Sequence, residues 1–307
     1  MSRIDVHHHL VAPRYVPQLR ELGVLTPHLA EIMNEKSALA DMDEAGVTLA
    51  VNSATLPEQI RGAARLAYSR ENNDYMARLV ADHPGRFGMF ASLPLPDVDG
   101  ALKEIDYAFD VLKADGVHLI TSYEDHWLGD AIFAPVFDEL NRRKALVYTH
   151  PHGPPCCHNL LKELNIRDSV IEYGADTTRA LANLLFGGTV KRCPDIKLIF
   201  SHGGGTMPFL VERFIRLEKI PRFAPLMPQG FVAEARKFYY DTAQILHGVP
   251  LGALKQLVPL PQIVYGTDYP WRSSQECVAG LGAAGTFSAA ELRAIDGNAA
   301  ALLPRFR

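Results

Sequence analysis

The sequence contains few cysteines: Cys156, Cys157, Cys193 and Cys277 are the only four among 307 residues. Secreted proteins that depend on disulfides carry many more cysteines in a much shorter chain. The sequence therefore does not encode a disulfide framework, and we expect the reducing cytoplasm as its compartment.

Long apolar runs are also missing. No stretch approaches the roughly 18 consecutive apolar residues that a membrane-spanning helix needs. The N-terminus has no basic segment followed by an apolar one, so no signal peptide is evident. With 48% hydrophobic residues overall, the composition is typical of a soluble globular protein, and we expect no membrane partner.

Neither sign of charge dominates the sequence. Its 31 Lys and Arg stand against 35 Asp and Glu, which gives a formal net charge of −4. A nucleic-acid-binding protein usually carries a basic excess, so we expect no nucleic-acid partner. The length allows one large domain or two ordinary ones. Because no low-complexity linker or break in composition divides the chain, we expect a single domain over residues 1–307.

The chain does contain a regular alternation of short apolar, β-branched runs with longer helical patterns. Such alternation predicts parallel strands joined by right-handed helical crossovers, and eight such units predict an α/β fold, the TIM (β/α)8 barrel. The segment 12–44 is longer than one loop and one helix need, and we expect it to form a small N-terminal cap. The predicted strands cover 3–9, 47–53, 87–93, 116–120, 145–150, 197–201, 238–241 and 262–266, and predicted helices cover 57–82, 100–114, 134–144, 177–193 and 207–217.

Three consecutive histidines end the first predicted strand. Side chains on a strand alternate between faces, so His7 and His9 point to one side and His8 points to the other. Two imidazoles two residues apart can hold one metal ion from the same side. A cloning tag would be longer and would not continue directly from an Ile-x-Val strand. Metal binding is therefore the better interpretation.

Other predicted strands end in residues of the same chemical kind. The fifth ends at His150, the sixth is followed by His202 and three glycines, and the eighth leads into Asp268. The active site of a TIM barrel lies at the C-terminal ends of its strands. A single histidine in a strand is more often a hydrogen-bonded core residue. Four strand ends with such residues at one end of the barrel predict a shared site instead.

These segments resemble the amidohydrolase superfamily, in the branch related to aminocarboxymuconate-semialdehyde decarboxylase. The resemblance extends nearly from end to end of the chain, and its motifs are specific for the branch but not for a substrate. They are DVHHH at 5–9, HP at 150–151, SHGGGTMPF at 201–209, GTDYP at 266–270 and NA at 298–299.

The resemblance implies a role for each matched residue. His7, His9, His150 and Asp268 would bind one divalent metal ion, most often zinc in this branch, with manganese as another candidate. Three nitrogens and one carboxylate suit zinc, and water or substrate would complete its coordination. His202 would stay beside the metal as a general base or would orient the substrate. Asp268 would be both ligand and proton carrier.

The fourth predicted strand favours a single metal ion. Binuclear members of the superfamily place a carbamylated lysine there, and residues 116–120 hold no lysine. His118 on this strand is either a ligand or a core histidine. We favour a position in the core or just outside the ligand set.

The resemblance also implies two substrate-binding residues. Arg213 matches an arginine that reaches a neighbouring subunit's pocket and holds the substrate carboxylate, a task that suits the paired donors of a guanidinium. This role would require a homodimer or a higher homo-oligomer; the alternative is an arginine on a helix surface. Trp271 matches an aromatic wall of the pocket, or it packs a loop.

Two departures from the decarboxylase that names the branch bear on the substrate. Residues 37–40 lack an arginine of that enzyme, and one of its pocket tryptophans falls near Ser169. We therefore expect a smaller aromatic acid, of the salicylate or resorcylate type. The predicted function is a metal-dependent, non-oxidative decarboxylase of a small aromatic or unsaturated carboxylic acid.

Other functions use the same residues. In a hydrolase or hydratase, His202 would activate water against a lactone, an amide or a carbon–carbon double bond. The motifs do not separate these reactions from decarboxylation. A protein that only binds metal would require lost ligands, and none of the matched residues is lost.

The loop after the fifth strand is rich in metal-binding residue types: His152, Cys156, Cys157 and His158. A second metal site is one interpretation. We favour a loop that lines the mouth of the pocket, because adjacent cysteines seldom both reach one ion. No matching pair of cysteines lies elsewhere in the sequence.

Overall fold

The computed structural model of the chain describes residues 2–157 and 160–306. Eight parallel strands form one sheet, in which each strand pairs with the next. Two shorter strands form a separate antiparallel pair. The strands of the sheet are β1 (Arg3–His9), β2 (Val47–Ser53), β3 (Phe87–Ser92), β4 (Gly116–Ile120), β7 (Leu146–His150), β8 (Lys197–Phe200), β9 (Tyr239–Asp241) and β10 (Ile263–Val264), and the separate pair is β5 (Ser122–Tyr123) with β6 (His126–Trp127).

Backbone hydrogen bonds between the two ends of the sheet close it. Val6 N donates to Tyr265 O at 3.1 Å, and His9 N donates to Tyr269 O at 2.8 Å. A closed, all-parallel sheet surrounded by helices is a TIM barrel. The fold predicted from eight strand and helix units is therefore confirmed.

Helices follow the strands and pack against the outside of the barrel, where a large group of buried apolar side chains lies between the two layers. In the described part of the chain, no helix combines the length and the apolar character needed to cross a membrane. The α-helices are α1 (Val16–Glu21), α2 (Pro27–Ile32), α3 (Glu35–Ala45), α4 (Gly62–Asp82), α5 (Val98–Asp106), α6 (Ala134–Arg142), α7 (Glu172–Phe186), α8 (Thr189–Arg192), α9 (Val211–Glu218), α10 (Phe231–Ala235), α11 (Gly248–Leu257), α12 (Ser274–Ala283) and α13 (Ala289–Asn298).

The bounds of all five predicted helices differ from those observed, and two of the differences have a clear local cause. The helix predicted over 57–82 begins only at Gly62, because the carbonyls of Pro57 and Ile60 accept hydrogen bonds from the Arg65 side chain in an irregular turn. The helix predicted over 177–193 is divided into α7 and α8. Gly188 between them adopts a φ of +84°, a left-handed conformation that interrupts a helix.

The long segment between β1 and β2 contains two short helices, α1 and α2, ahead of α3. The hydroxyl of Tyr269, next to Asp268, donates to Ile32 O at 3.1 Å. The end of α2 therefore contacts the loop after β10. This loop lies at the C-terminal end of the barrel, where the predicted cap would be.

The two ends of the barrel interior differ in polarity. Side chains at strand starts, such as Ile4, Leu49 and Leu146, pack with Leu302 and Leu303 from the C-terminal segment. The chain's last turns thus close the N-terminal end of the barrel with apolar groups. Polar side chains are concentrated at the opposite end.

Candidate metal centre and active site

The end of β1 places two imidazoles on one face of the strand. The Nε2 atoms of His7 and His9 lie 3.1 Å apart, and both side chains are buried. His8 points to the other face, where its Nδ1 lies 2.8 Å from Asn52 Oδ1 and its ring stacks on Tyr269. The alternation of faces along the strand has therefore brought His7 and His9 together, as the sequence predicted.

His150 and Asp268 complete the same cluster from β7 and from the loop after β10. Asp268 Oδ1 lies 3.1 Å from His7 Nε2, 3.4 Å from His9 Nε2 and 3.8 Å from His150 Nε2. One ligand atom from each of the four residues lies within 4.8 Å of the other three. The four form a group that can hold one metal ion.

The second nitrogen of each imidazole has a partner that fixes the ring. His7 Nδ1 donates to Asp241 Oδ2 at 2.9 Å, and His150 Nδ1 donates to the Pro151 carbonyl at 2.8 Å. His9 Nδ1 donates to the Ser53 carbonyl at 3.1 Å. In the neutral form of each ring, Nε2 presents a lone pair to the centre of the cluster, which is the tautomer that a metal ligand needs, and metal binding would displace the second proton of His7.

The charges of the cluster also fit a cation. Burial lowers the pKa of His150 to about 3 and lowers that of His9, so both rings are neutral. Burial would lower the pKa of His7 as well, but Asp241 and Asp268 outweigh it and raise this pKa to about 10. The buried carboxylates thus attract a positive charge to this point. Three imidazoles and one carboxylate are a donor set that a divalent metal accepts.

Asp268 is held in place by β1. Asp268 has a backbone φ of +68°, and its backbone N donates to His7 O at 2.8 Å. The neighbouring Thr267 donates through its hydroxyl to Asp5 Oδ2 at 2.6 Å. Burial raises the pKa of Asp5 to about 7. These contacts join the loop after β10 to the strand that carries the histidines, so the two parts of the cluster keep one geometry.

His202 lies beside the cluster and outside the group of four ligand atoms. Its ring centroid is 5.1 Å from that of His7 and 5.2 Å from that of His150. Its Nε2 is 3.5 Å from Asp268 Oδ2 and makes no hydrogen bond among the described residues. This is the position expected of a residue that acts on bound water or substrate.

The three glycines after His202 allow a close approach between two segments. A Cβ on Gly205 would lie 2.2 Å from the carbonyl oxygen of Gly174 in α7. Gly205 also has a φ of +67°, a conformation that side chains disfavour. The glycines therefore let the loop that carries His202 pack directly on α7.

Comparisons with known proteins agree with this geometry. A family model described as amidohydrolase matches residues 4–305. The chain belongs to the amidohydrolase family. The family resemblance inferred from the sequence motifs is confirmed.

Two curated relatives and one solved structure show what this amidohydrolase is similar to. It is 36% identical over 299 residues to decarboxylase yanB of Aspergillus niger, covering 88% of this chain and 78% of that protein. It is 34% identical over 285 residues to the 6-methylsalicylic acid decarboxylase of Penicillium expansum, covering 88% and 85%. The structure of a dihydroxybenzoic acid decarboxylase from Polaromonas, with bound manganese and 2-nitroresorcinol, superposes with a TM-score of 0.84 over 100% of this chain and 98% of that one. At 21% identity, this last match shows the fold alone.

Asp241 is a site residue of this amidohydrolase that sequence reasoning missed. At the end of β9, its carboxylate accepts hydrogen bonds from His7 Nδ1 at 2.9 Å, from the Tyr148 hydroxyl at 3.0 Å and from His202 N at 2.8 Å. Burial would raise its pKa, but the charge and hydrogen bond of His7 outweigh burial and lower it. The sequence did contain one indication of this role: Asp241 is the last residue of the seventh predicted strand, at the end of the barrel where the active site was expected.

Three other predicted residues lie at different distances from the cluster. The Trp271 ring stands edge-on to His9, with centroids 5.4 Å apart. His118 is 1% exposed, with its ring 6.2 Å from that of His150, and it is outside the ligand group. Arg213 is exposed on α9, and its guanidinium makes no hydrogen bond or ion pair with the described residues. No contact between Arg213 and the ligand group is present among the described residues.

The loop after β7 remains close to the site. His152 Nε2 lies 3.6 Å from Glu58 Oε2, and the Cys156 and Cys157 sulfurs lie 2.7 Å apart. His158 is outside the described residues. Over residues 2–157 and 160–306, the group around Asp268 is the only set of three or more His, Cys, Asp or Glu side chains close enough to hold a metal.

Proposed function

We propose that this amidohydrolase is a metal-dependent, non-oxidative decarboxylase of a small aromatic acid of the salicylate or resorcylate type. The observation that carries the proposal is the convergence of three imidazoles and Asp268 beside the free Nε2 of His202. The reaction class is supported by relatives at 36% and 34% identity that are named decarboxylases. The aromatic substrate is supported by Trp271 at the edge of the cluster.

His7, His9, His150 and Asp268 would hold the metal. When bound, the metal would act as a Lewis acid and would orient the substrate's carboxylate or adjacent hydroxyl. Zinc is our first candidate, because three nitrogens and one carboxylate suit it. Manganese, which the Polaromonas structure contains, is the second.

The chain's own residues would move the proton. Asp268 Oδ2 lies 3.5 Å from His202 Nε2, so either group would hold the proton that is delivered to the substrate. Delivery of that proton to the ring carbon that carries the carboxylate forms a new C–H bond. The bond from this carbon to the carboxylate then breaks, its electron pair restores the aromatic ring, and carbon dioxide leaves. No oxidant or reductant is consumed.

A hydrolase or hydratase is the second candidate, and one observation favours it. The Nε2 of His202 makes no hydrogen bond among the described residues, so it would take a proton from water as readily as it would orient a substrate. The same cluster then serves a lactone, an amide or a double bond.

Release of carbon dioxide separates the two candidates. We expect the protein loaded with zinc or with manganese to release carbon dioxide from salicylate, 6-methylsalicylate or 2,6-dihydroxybenzoate, in an assay of headspace carbon dioxide and phenol product. A parallel panel of aryl lactones and amides tests hydrolysis. Turnover of that panel without any release of carbon dioxide would contradict the decarboxylase.

We propose a homodimer or higher homo-oligomer in which Arg213 reaches the partner's pocket, since its exposed guanidinium has no partner among the described residues of its own chain. We expect Arg213→Ala to raise KM for the carboxylate and to leave metal content unchanged, because Arg213 lies outside the ligand group. Arg216→Ala, an exposed arginine on the same helix, is the control. An active monomer in light scattering would exclude this role.

We also propose that residues 1–307 form a single domain. One family model spans residues 4–305, and the strands of one barrel extend from Arg3 to Val264. The C-terminal segment packs against the N-terminal end of the same barrel. Limited proteolysis that released a stable fragment with its own cooperative unfolding would contradict this.

A further inference from the structure

Two aromatic side chains stand on different sides of the metal-ligand group. Trp271 is edge-on to His9, and Tyr173, in the first turn of α7, is edge-on to His150. The ring centroids of Tyr173 and His150 are 6.1 Å apart, with an angle of 80° between the planes. Two of the three histidines of the cluster therefore each contact an aromatic ring, and such rings can pack against a flat molecule.

The hydroxyl of Tyr173 is available for a hydrogen bond, as far as the described part of the chain shows. Tyr173 is half-buried, and its hydroxyl makes no hydrogen bond with the described residues, whereas the hydroxyls of the buried Tyr148 and Tyr240 do. The hydroxyl belongs to a ring that contacts His150, and it is a neutral donor because the ordinary pKa of a tyrosine is about 10. A donor in that position satisfies itself through water or a ligand.

The turn that carries Tyr173 is fixed against the loop that carries His202. The carbonyl of Gly174 accepts hydrogen bonds from Thr206 N at 3.2 Å and from the Thr178 hydroxyl at 2.8 Å. The close contact with Gly205 lies at the same carbonyl. Tyr173 is therefore held in a set relation to His202, and a pre-positioned donor loses little conformational entropy on binding.

We propose that Tyr173 contacts the substrate: its hydroxyl donates a hydrogen bond to an oxygen of the bound aromatic acid, and its ring forms a second wall with Trp271. This inference rests on the proposed function for the identity of the ligand. It adds a specificity residue that the sequence motifs did not single out, since Tyr173 lies between the matched segments.

The test is the affinity of the metal-loaded protein for salicylate, measured by isothermal titration calorimetry. We expect Tyr173→Phe to raise the Kd for salicylate by about tenfold, the scale of a lost hydrogen bond to a charged group. Metal content and melting temperature stay unchanged, because the hydroxyl has no hydrogen-bond partner among residues 2–157 and 160–306. Tyr239→Phe removes a hydroxyl at the start of β9, at the opposite end of the barrel, and is the matched control.

Each outcome has a distinct meaning. Equal Kd values for Tyr173→Phe and the unaltered protein overturn the contact. A loss of metal or a lower melting temperature in Tyr173→Phe makes the hydroxyl structural and also overturns it. If salicylate and 6-methylsalicylate fail to bind the unaltered, metal-loaded protein, the proposed substrate class fails first, and the contact with an aromatic acid fails with it.

Discussion

Asp268→Asn is expected to lose both the bound metal and turnover. The substitution removes the one carboxylate among the four ligands while keeping the size of the side chain. Burial would raise the pKa of Asp268, but the positive charge of His7 and the neighbouring imidazoles outweigh burial and hold this pKa well below its usual range. The group is therefore a charged oxygen donor at neutral pH. We expect less than one tenth of an equivalent of metal after dialysis, measured by mass spectrometry of the elements.

Two other carboxylates are the comparison for this variant. Asp241→Asn keeps an acceptor for His7 Nδ1 but removes the charge, and we expect metal affinity to fall by about 10–100-fold. Asp115→Asn changes a buried carboxylate at the start of β4, where it accepts a hydrogen bond from Met89 N. We expect it to lower stability without changing metal content. A full equivalent of metal in Asp268→Asn would contradict the proposed ligand set.

His202→Ala is expected to keep the metal and lose most turnover. A general base contributes about 10²–10⁴-fold to a rate, and the imidazole lies beside the ligand group without belonging to it. The measurements are kcat and metal content on the same preparation. His247→Ala, which removes an exposed histidine at the start of α11, is the control and should keep both.

The size of the loss separates the two candidate reactions. Hydrolysis requires deprotonation of water, so a hydrolase should show the larger loss of kcat in His202→Ala. A decarboxylase that uses His202 only to orient the substrate should show a modest loss of kcat. Loss of metal together with activity would make His202 a ligand. Full activity would remove His202 from the mechanism.

Local patterns were enough to predict most of the fold. The alternation of faces along β1 depends only on strand geometry, so His7 and His9 could be paired from the sequence. Eight strand and helix units indicated the barrel, and the barrel rule then indicated that His150 and Asp268 meet at one end. Helix bounds were less predictable. The end of α7 before Gly188 and the late start of α4 depend on a left-handed residue and on the reach of Arg65.

The sequence by itself determined the barrel and the four converging side chains, because strand period and strand ends are local properties. Only the tertiary structure decided which groups orient them. Asp241 reaches His7 across 234 positions of the chain, and Asp5 reaches Thr267 across 262. The place of Tyr173 depends on how α7 packs against the loop of His202. Such contacts are set by barrel closure and helix packing, and no spacing along the chain encodes them.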